Sequence, residues 1–390
     1  MSRPVTPDEG MDRLRRIALL IGVSATAAVL LGAWYNLDQF FRSYLFGYLF
    51  WAGIAIGSMA LVMLHNLTGG GWGIIIRRCL EASMRTLPLM ALLVLPLLLG
   101  LPHLYLWARP EAVAADKLLQ HKSGYLNAPF FAGRTAGYFA VWLVLAFLLS
   151  RWSGQQDRTS DPQVKRRLRM LSGPGLVLYG LTATFASVDW VMSLEPHWFS
   201  TIYGMLFMVG QGLAALALAL VAVMLLCDRE PLAEAVTGQR LNDLGNLMLA
   251  FVMLWAYLSF SQFLIIWSGN LPEEIEWYKH RLHGGWMMAA LLLVIFHFAA
   301  PFVVLLSRGV KRKVRVLGTV AAGIFVFRLV DLYWIMGPGH GTSGLHLHWM
   351  DVAVPLAIGG LWAEMFVRRL QSRPLVPVHH QEFRAELQHG

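Results

Sequence analysis

The sequence predicts an all-α integral membrane protein with about ten transmembrane helices, and three observations support this prediction. Of its 390 residues, 57% are apolar and only 14% are charged, whereas soluble domains carry about 25% charged residues. The apolar residues form ten runs of about 20 residues, the length that a helix needs to cross a bilayer. Lysine and arginine are concentrated in every second connection. Runs of this length are too long for the strands of a membrane β-barrel.

The ten runs occupy nearly the whole chain. The first follows a basic segment, but it lacks a small-residue cleavage pattern and leads directly into the second run. We therefore expect a retained helix and not a signal peptide. The predicted spans are residues 17–34, 44–64, 86–104, 131–149, 175–194, 200–227, 245–267, 284–306, 316–336 and 349–367.

The distribution of basic residues predicts the orientation. The N-terminal segment, the connections after the even-numbered helices and the C-terminal tail hold 24 of the 32 lysines and arginines, and the opposite face holds about six. Because basic loops stay in the cytoplasm, both termini are predicted to lie on the cytoplasmic side of a bacterial-type inner membrane. The net charge of +9 reflects this topology and an attraction to anionic lipid, and it does not imply nucleic acid binding.

Two parts of the chain repeat the same motifs. A Gly-x-Leu-Phe-x-x-Gly spacing in the second span recurs 157 residues later in the sixth, and Leu-Leu-Ser-Arg at 148–151 recurs at 305–308. A third match, offset by 142 residues, aligns Asp189 with Asp331. The alternative is chance agreement in a chain rich in leucine and glycine. The glycines of the first motif, expected at close helix crossings, are Gly47, Gly53, Gly204 and Gly210.

The repeats predict a division into four parts. Residues 1–43 form a cytoplasmic segment and helix 1, and residues 339–390 form helix 10 and a cytoplasmic tail. Between them, residues 44–197 and 198–338 form two four-helix bundles with the same orientation.

Ionisable residues within the spans are candidates for function, because a charge in hydrocarbon is costly. Asp189 and Asp331 occupy equivalent positions in the outer third of the membrane. Arg328 precedes Asp331 by three residues on one helical face, so an ion pair and a proton-handling role are both compatible with Asp331. Asp189 has no such local partner, which favours a proton-handling role. On this basis Asp189→Asn is expected to assemble normally and Asp331→Asn to destabilise the subunit.

Four further polar residues lie within or near the spans. His65 and Glu364 fall near the cytoplasmic ends of helices 2 and 10, and His297 and Gln211 lie deeper in helices 8 and 6. Together they are compatible with a proton-conducting ladder. The alternative for each residue is a satisfied buried polar group or a side chain that reaches the interface.

Cofactor ligands are scarce. The two cysteines, Cys79 and Cys227, cannot hold an iron–sulfur cluster that requires four thiolates. His283 and His297 lie fourteen residues apart on one predicted helix, but a two-haem cytochrome b needs a second helix with such a pair, and no other span offers one. The late histidines His340, His346 and His348 resemble a metal site only loosely. The sequence therefore predicts no metal and no cofactor bound by this chain.

Three stretches in the second half carry a more specific signal. They are Leu-Glu-Pro-His-Trp-Phe-Ser at 194–200, Ser-Phe-Ser-Gln-Phe-Leu-Ile-Ile-Trp at 259–267 and Asn-Leu-Pro-Glu-Glu at 270–274. Together they resemble the ActF membrane subunit of alternative complex III, within the broader NrfD, or polysulfide-reductase membrane-subunit, group. The resemblance extends from about residue 41 to residue 367.

This resemblance implies a membrane subunit of a quinol:cytochrome c oxidoreductase in the respiratory chain. It implies quinol as a possible substrate, and iron–sulfur clusters and c-type haems on partner subunits, with a second NrfD-like subunit alongside. It also places Asp189 where such subunits deprotonate quinol or pass protons outward. Two alternatives remain from the residues alone: a secondary transporter, since parallel repeats with charges inside the membrane also suit one, and a structural anchor.

Overall fold

The structure, a computed structural model, describes residues 9–159, 161–340 and 344–376, with the backbone alone for 339 and 340. These ranges are helical and contain no strand, and ten of their helices are long and apolar enough to cross a membrane. The predicted fold class, a multi-pass membrane protein built from helices, is confirmed. The ten are α1 (Glu9–Tyr35), α2 (Leu37–Thr68), α3 (Arg77–Leu99), α4 (Ala128–Gln156), α5 (Pro162–Leu194), α6 (Tyr203–Leu226), α7 (Gly238–Gly269), α8 (Trp286–Leu306), α9 (Val314–Met336) and α10 (Trp349–Gln371).

Shorter helices occupy several of the connections. The longest of them, Pro272–Leu282, lies between α7 and α8. The others are Gly71–Gly73, Leu101–Leu104, Leu106–Ala108, Pro110–Ala115, Lys117–Lys122, Leu232–Ala235, Arg308–Lys311 and Gly337–His340.

Side-chain caps define where several long helices begin. Asn36 accepts a hydrogen bond from the backbone N–H of Gln39 at the start of α2 (3.0 Å). At the start of α4, the Asn127 side chain accepts a hydrogen bond from the backbone N–H of Phe130 (2.9 Å). At the start of α5, Asp161 accepts one from the backbone N–H of Gln163 (2.8 Å). Because the first N–H groups of a helix have no partner within it, these caps fix the starting points.

Helix α3 begins nine residues before the predicted start at residue 86. The added turns contain Arg77, Arg78 and Glu81, which a hydropathy argument assigns to a loop. Arg77 Nε donates to one oxygen of Glu81 (2.9 Å) and Arg78 Nη1 to the other (2.6 Å). Arg78 also pairs with Asp157, so two carboxylates balance the two arginines and these turns remain helical and buried.

The two predicted four-helix sets make the same internal contacts. In the first set α2 contacts α3 and α5, and α4 contacts α3 and α5. In the second set α6 contacts α7 and α9, and α8 contacts α7 and α9. The first helices of the two sets, α2 and α6, pack against each other at the centre, and α1 packs on α10 at the edge. The division at residues 197/198 and 338/339 stays a prediction, with which these contacts agree.

Glycines occupy the closest approaches between helices. A Cβ atom on Gly57 would lie 2.3 Å from the carbonyl oxygen of Gln211, where α2 crosses α6. At Gly210, a glycine of the repeated motif, a Cβ atom would lie 2.3 Å from the guanidinium carbon of Arg328. Small residues therefore allow both the central helix crossing and the burial of an arginine beside it.

The ends of the helices that carry the basic residues lie together. Arg15 of α1 lies 3.7 Å from Glu364 of α10, and Arg78 of α3 pairs with Asp157, which follows α4. We call this side the basic end, and the side that carries the helix Pro272–Leu282 the opposite end.

Candidate functional site

An aromatic cavity of about 590 Å³ lies between α7, α8 and α9, toward the opposite end. Its mouth is apolar and open to the surface of the helix bundle, where Tyr257 is 66% exposed and Phe260 is 61% exposed. Its inner wall is buried and includes Trp255 and Leu293. In a membrane this mouth faces lipid, so the cavity is accessible to an apolar molecule dissolved in the bilayer.

Asp331 is the charged residue at the inner wall of this cavity. It is the sole charged side chain among the described residues that line it, and it is 2% exposed. Arg328 Nη1 and Trp255 Nε1 both donate to its Oδ2 atom, the latter at 3.3 Å. Its Oδ1 atom has no hydrogen-bond donor among the described residues, so one carboxylate oxygen is available to a ligand.

His297 lies behind the same wall. It is fully buried in α8, within a π-helical segment, Leu293–Ala299, whose neighbouring side chains line the cavity. Its ring meets the edge of Trp255 at a centroid distance of 4.6 Å, and neither ring nitrogen has a hydrogen-bond partner in the described part of the chain. Since π-helical segments recur at functional sites and buried polar groups are normally satisfied, His297 is a candidate proton acceptor.

An arginine that the sequence argument did not single out supports the cavity at the opposite end. Arg281 is fully buried, and its guanidinium lies 3.6 Å from the ring of Trp277. It donates to Glu195 Oε1 (2.6 Å) and to the carbonyl oxygen of Ile335 (2.5 Å). Trp277 and Ile335 line the cavity. Arg281 therefore connects the helix Pro272–Leu282, to which it belongs, with α9 at the edge of the cavity.

The three sequence stretches that carry the resemblance come together around this cavity. Gln262, in the second stretch, lines it and accepts a hydrogen bond from Ser200 at the end of the first (3.1 Å). Trp198, also in the first stretch, stacks on Trp277 at a centroid distance of 4.8 Å. The third stretch leads into the helix Pro272–Leu282. Residues far apart in the chain thus build one site.

Asp189, the other predicted carboxylate, has a partner that its sequence neighbourhood does not contain. Arg134 of α4 binds both of its oxygens, each at 2.9 Å, and the Tyr138 hydroxyl donates to Oδ2 at 2.6 Å. The guanidinium also lies 3.8 Å from the ring of Tyr125. The carboxylate, which has no local partner in the sequence, is therefore fully buried and paired with an arginine of another helix. Its role in proton transfer stays a prediction.

The other residues predicted to form a proton-conducting ladder have separate neighbours. His65, at the end of α2, lies 3.2 Å from the carbonyl oxygen of Gly70, and Glu364 pairs with α1. The side-chain oxygen of Gln211 accepts from the Tyr179 hydroxyl (3.1 Å). These contacts agree with the alternative of individually satisfied polar groups, and a connected path through them stays a prediction.

The haem alternative depended on two histidines of one helix, and the structure does not place them on one helix. His283 does not share a helix with His297, because α8 begins at Trp286 and residues 284 and 285 are glycines with positive φ angles of 59° and 91°. Among the late histidines, the His340 side chain lies outside the described residues.

Comparisons with known proteins leave the family open. No model of a known protein family matches the chain, and no curated protein sequence matches it. The resemblance to the ActF group therefore depends on the three stretches and the site that they build.

Proposed function

We propose that this chain is a membrane subunit of a respiratory quinol:cytochrome c oxidoreductase of the alternative complex III type, and that its aromatic cavity takes up quinol. The observation that carries this proposal is the cavity itself: it has an apolar mouth toward lipid and Asp331 at its inner wall. The second of the stretches that carry the resemblance lines it, and the first contacts two of its lining residues.

The chemistry of quinol suits such a cavity. A quinol has hydroxyl donors on its ring and an apolar tail, which match the available Oδ1 atom of Asp331 and the aromatic mouth. Its oxidation releases two electrons and two protons. The electrons go to redox groups of partner subunits, while Asp331 and His297 are the candidate proton acceptors of this chain.

The setting of the subunit is part of the proposal. It lies in a bacterial inner membrane with both termini in the cytoplasm, beside a second NrfD-like subunit, an iron–sulfur protein and c-type cytochromes. The basic loops support this orientation. The cavity then lies in the outer half of the membrane, near periplasmic electron acceptors.

Filling the cavity is expected to block quinol. Ala256 lines it, and Ala256→Phe adds a ring to its wall. Overpacking a site costs about 1–3 kcal/mol, so quinol binding should weaken roughly ten- to hundredfold. The measurement is the KM for quinol of the assembled complex, together with labelling of the subunit by a photoreactive quinone.

Ala140→Phe is the matched control. Ala140 is exposed on α4, away from the cavity, so this variant should keep normal turnover and labelling. Unchanged labelling and KM in Ala256→Phe would contradict a quinol site here and would favour the anchor alternative.

The proposed orientation predicts the activity of reporter fusions. A reporter that is active only in the periplasm should be active when fused after Gly337 and silent when fused after Val310, because Val310 lies within the basic connection between α8 and α9. Protein level, measured by immunoblot, serves as the control. The reverse pattern would overturn the orientation.

A further inference from the structure

A second pocket, of about 320 Å³, lies at the basic end between α3, α4 and α10. Four arginines from these helices and the segment after α10 line it, and we call it the arginine pocket: Arg85, Arg151, Arg369 and Arg373. The rest of its wall is largely apolar and includes Pro88, Leu143, Ala146 and Phe147.

The nearby carboxylates are already engaged. Glu81, 2% exposed, accepts hydrogen bonds from two arginines of α3 and from the Ser153 hydroxyl (2.6 Å). Arg373 reaches Glu81 at 3.4 Å, and Asp157 is paired with Arg78. The arginine pocket therefore carries more positive charge than its surroundings neutralise.

Two of the four arginines have guanidinium groups that make no hydrogen bond within the described residues. Arg151 is exposed, and its guanidinium has no partner among the described residues. Arg369 Nε is buried and has no hydrogen-bond partner in the described ranges. A buried donor without a partner is costly and indicates a missing acceptor, and phosphate, like carboxylate, forms strong hydrogen bonds with arginine.

The apolar wall indicates what carries that phosphate. Phe147 is 62% exposed on the outer surface of α4, where a membrane places hydrocarbon chains. Arg151, Arg369 and Arg373 lie near the ends of α4 and α10, where lipid headgroups meet a transmembrane helix. A ligand that satisfies both parts has an anionic phosphate group joined to an acyl chain.

We propose that the arginine pocket binds an anionic phospholipid, with its phosphate on Arg151 and Arg369 and an acyl chain along Phe147. This site is separate from the aromatic cavity, which lies at the other end of the bundle, and it does not depend on the proposed function. The lipid supplies the negative charge that the helices lack and holds α3, α4 and α10 together.

Native mass spectrometry of the purified, delipidated full chain tests this site. Phosphatidylglycerol is the anionic probe, phosphatidylcholine the zwitterionic one and inorganic phosphate the free ion. The wild-type chain should bind one phosphatidylglycerol in preference to phosphatidylcholine. The variant Arg151→Gln/Arg369→Gln should bind it about 30-fold more weakly, the effect of two charges at the membrane surface.

Two further variants make the outcome specific. Arg166→Gln/Arg167→Gln removes two exposed charges from the same end and should leave binding unchanged. Arg151→Lys/Arg369→Lys keeps both charges and should retain the preference for phosphatidylglycerol. Equal losses in the two glutamine variants, loss in the lysine variant, or no loss in Arg151→Gln/Arg369→Gln would overturn the proposal. Displacement of the lipid by millimolar inorganic phosphate would also overturn it, in favour of a phosphate-ion site.

Discussion

Neutralising both members of the Arg328–Asp331 pair is expected to abolish most of the quinol oxidation while leaving the subunit nearly as stable as the wild type. Asp331→Asn alone leaves Arg328, only 4% exposed, without its acid, which costs about 3–5 kcal/mol for a buried pair. The double variant Arg328→Gln/Asp331→Asn removes both charges and should recover most of this loss. Quinol oxidation should nevertheless fall about a hundredfold or more, because the carboxylate that faces the cavity is gone.

The measurements are the amount of folded subunit in membranes, its thermal unfolding and the turnover per assembled complex. The single variant provides the stability control, since it should be depleted where the double variant is not. Wild-type turnover in the double variant would show that Asp331 has a structural role and does not accept protons from quinol.

The same experiment on the Arg134–Asp189 pair is expected to give the opposite result for activity. Asp189→Asn removes the counter-charge of an arginine that is only 11% exposed, and an uncompensated buried charge again costs about 3–5 kcal/mol. The expectation from sequence that this variant assembles normally is therefore replaced. The double variant Arg134→Gln/Asp189→Asn should restore both assembly and turnover, because neither residue lines the aromatic cavity.

Turnover normalised to the assembled complex, with proton release measured in vesicles, decides this case. If Arg134→Gln/Asp189→Asn assembles normally but loses turnover or proton release, Asp189 handles protons, as the resemblance implies. The two double variants make the same substitutions and the same change of charge. A difference in turnover between them is therefore due to the position of Asp331 at the cavity, and not to the loss of a buried ion pair.

The number of helices and the fold class could be predicted because each depends on local composition. A run of about 20 apolar residues must cross the membrane as a helix whatever surrounds it, and all ten predicted runs fall within or overlap described helices. Helix starts were predicted less well: α5 begins at Pro162 and α1 at Glu9, against predicted starts at residues 175 and 17. At α3, the turns that the prediction missed contain Arg77, Arg78 and Glu81, which pair with one another. Hydropathy counts such charges singly and cannot register their mutual neutralisation.

Composition and loop charge alone thus determined a helical membrane protein, its spans and the two carboxylates worth testing. The tertiary structure decided that Asp331 lies at a cavity and that Asp189 is paired with an arginine 55 residues away in the sequence. The physical reason is that lipid surrounds the helices. A helix in lipid is apolar on most of its faces, so its sequence lacks the amphipathic pattern that would show which face packs against which neighbour. Rotation and depth of each helix are set by packing, and those two quantities place Asp331 at the cavity and Asp189 against Arg134.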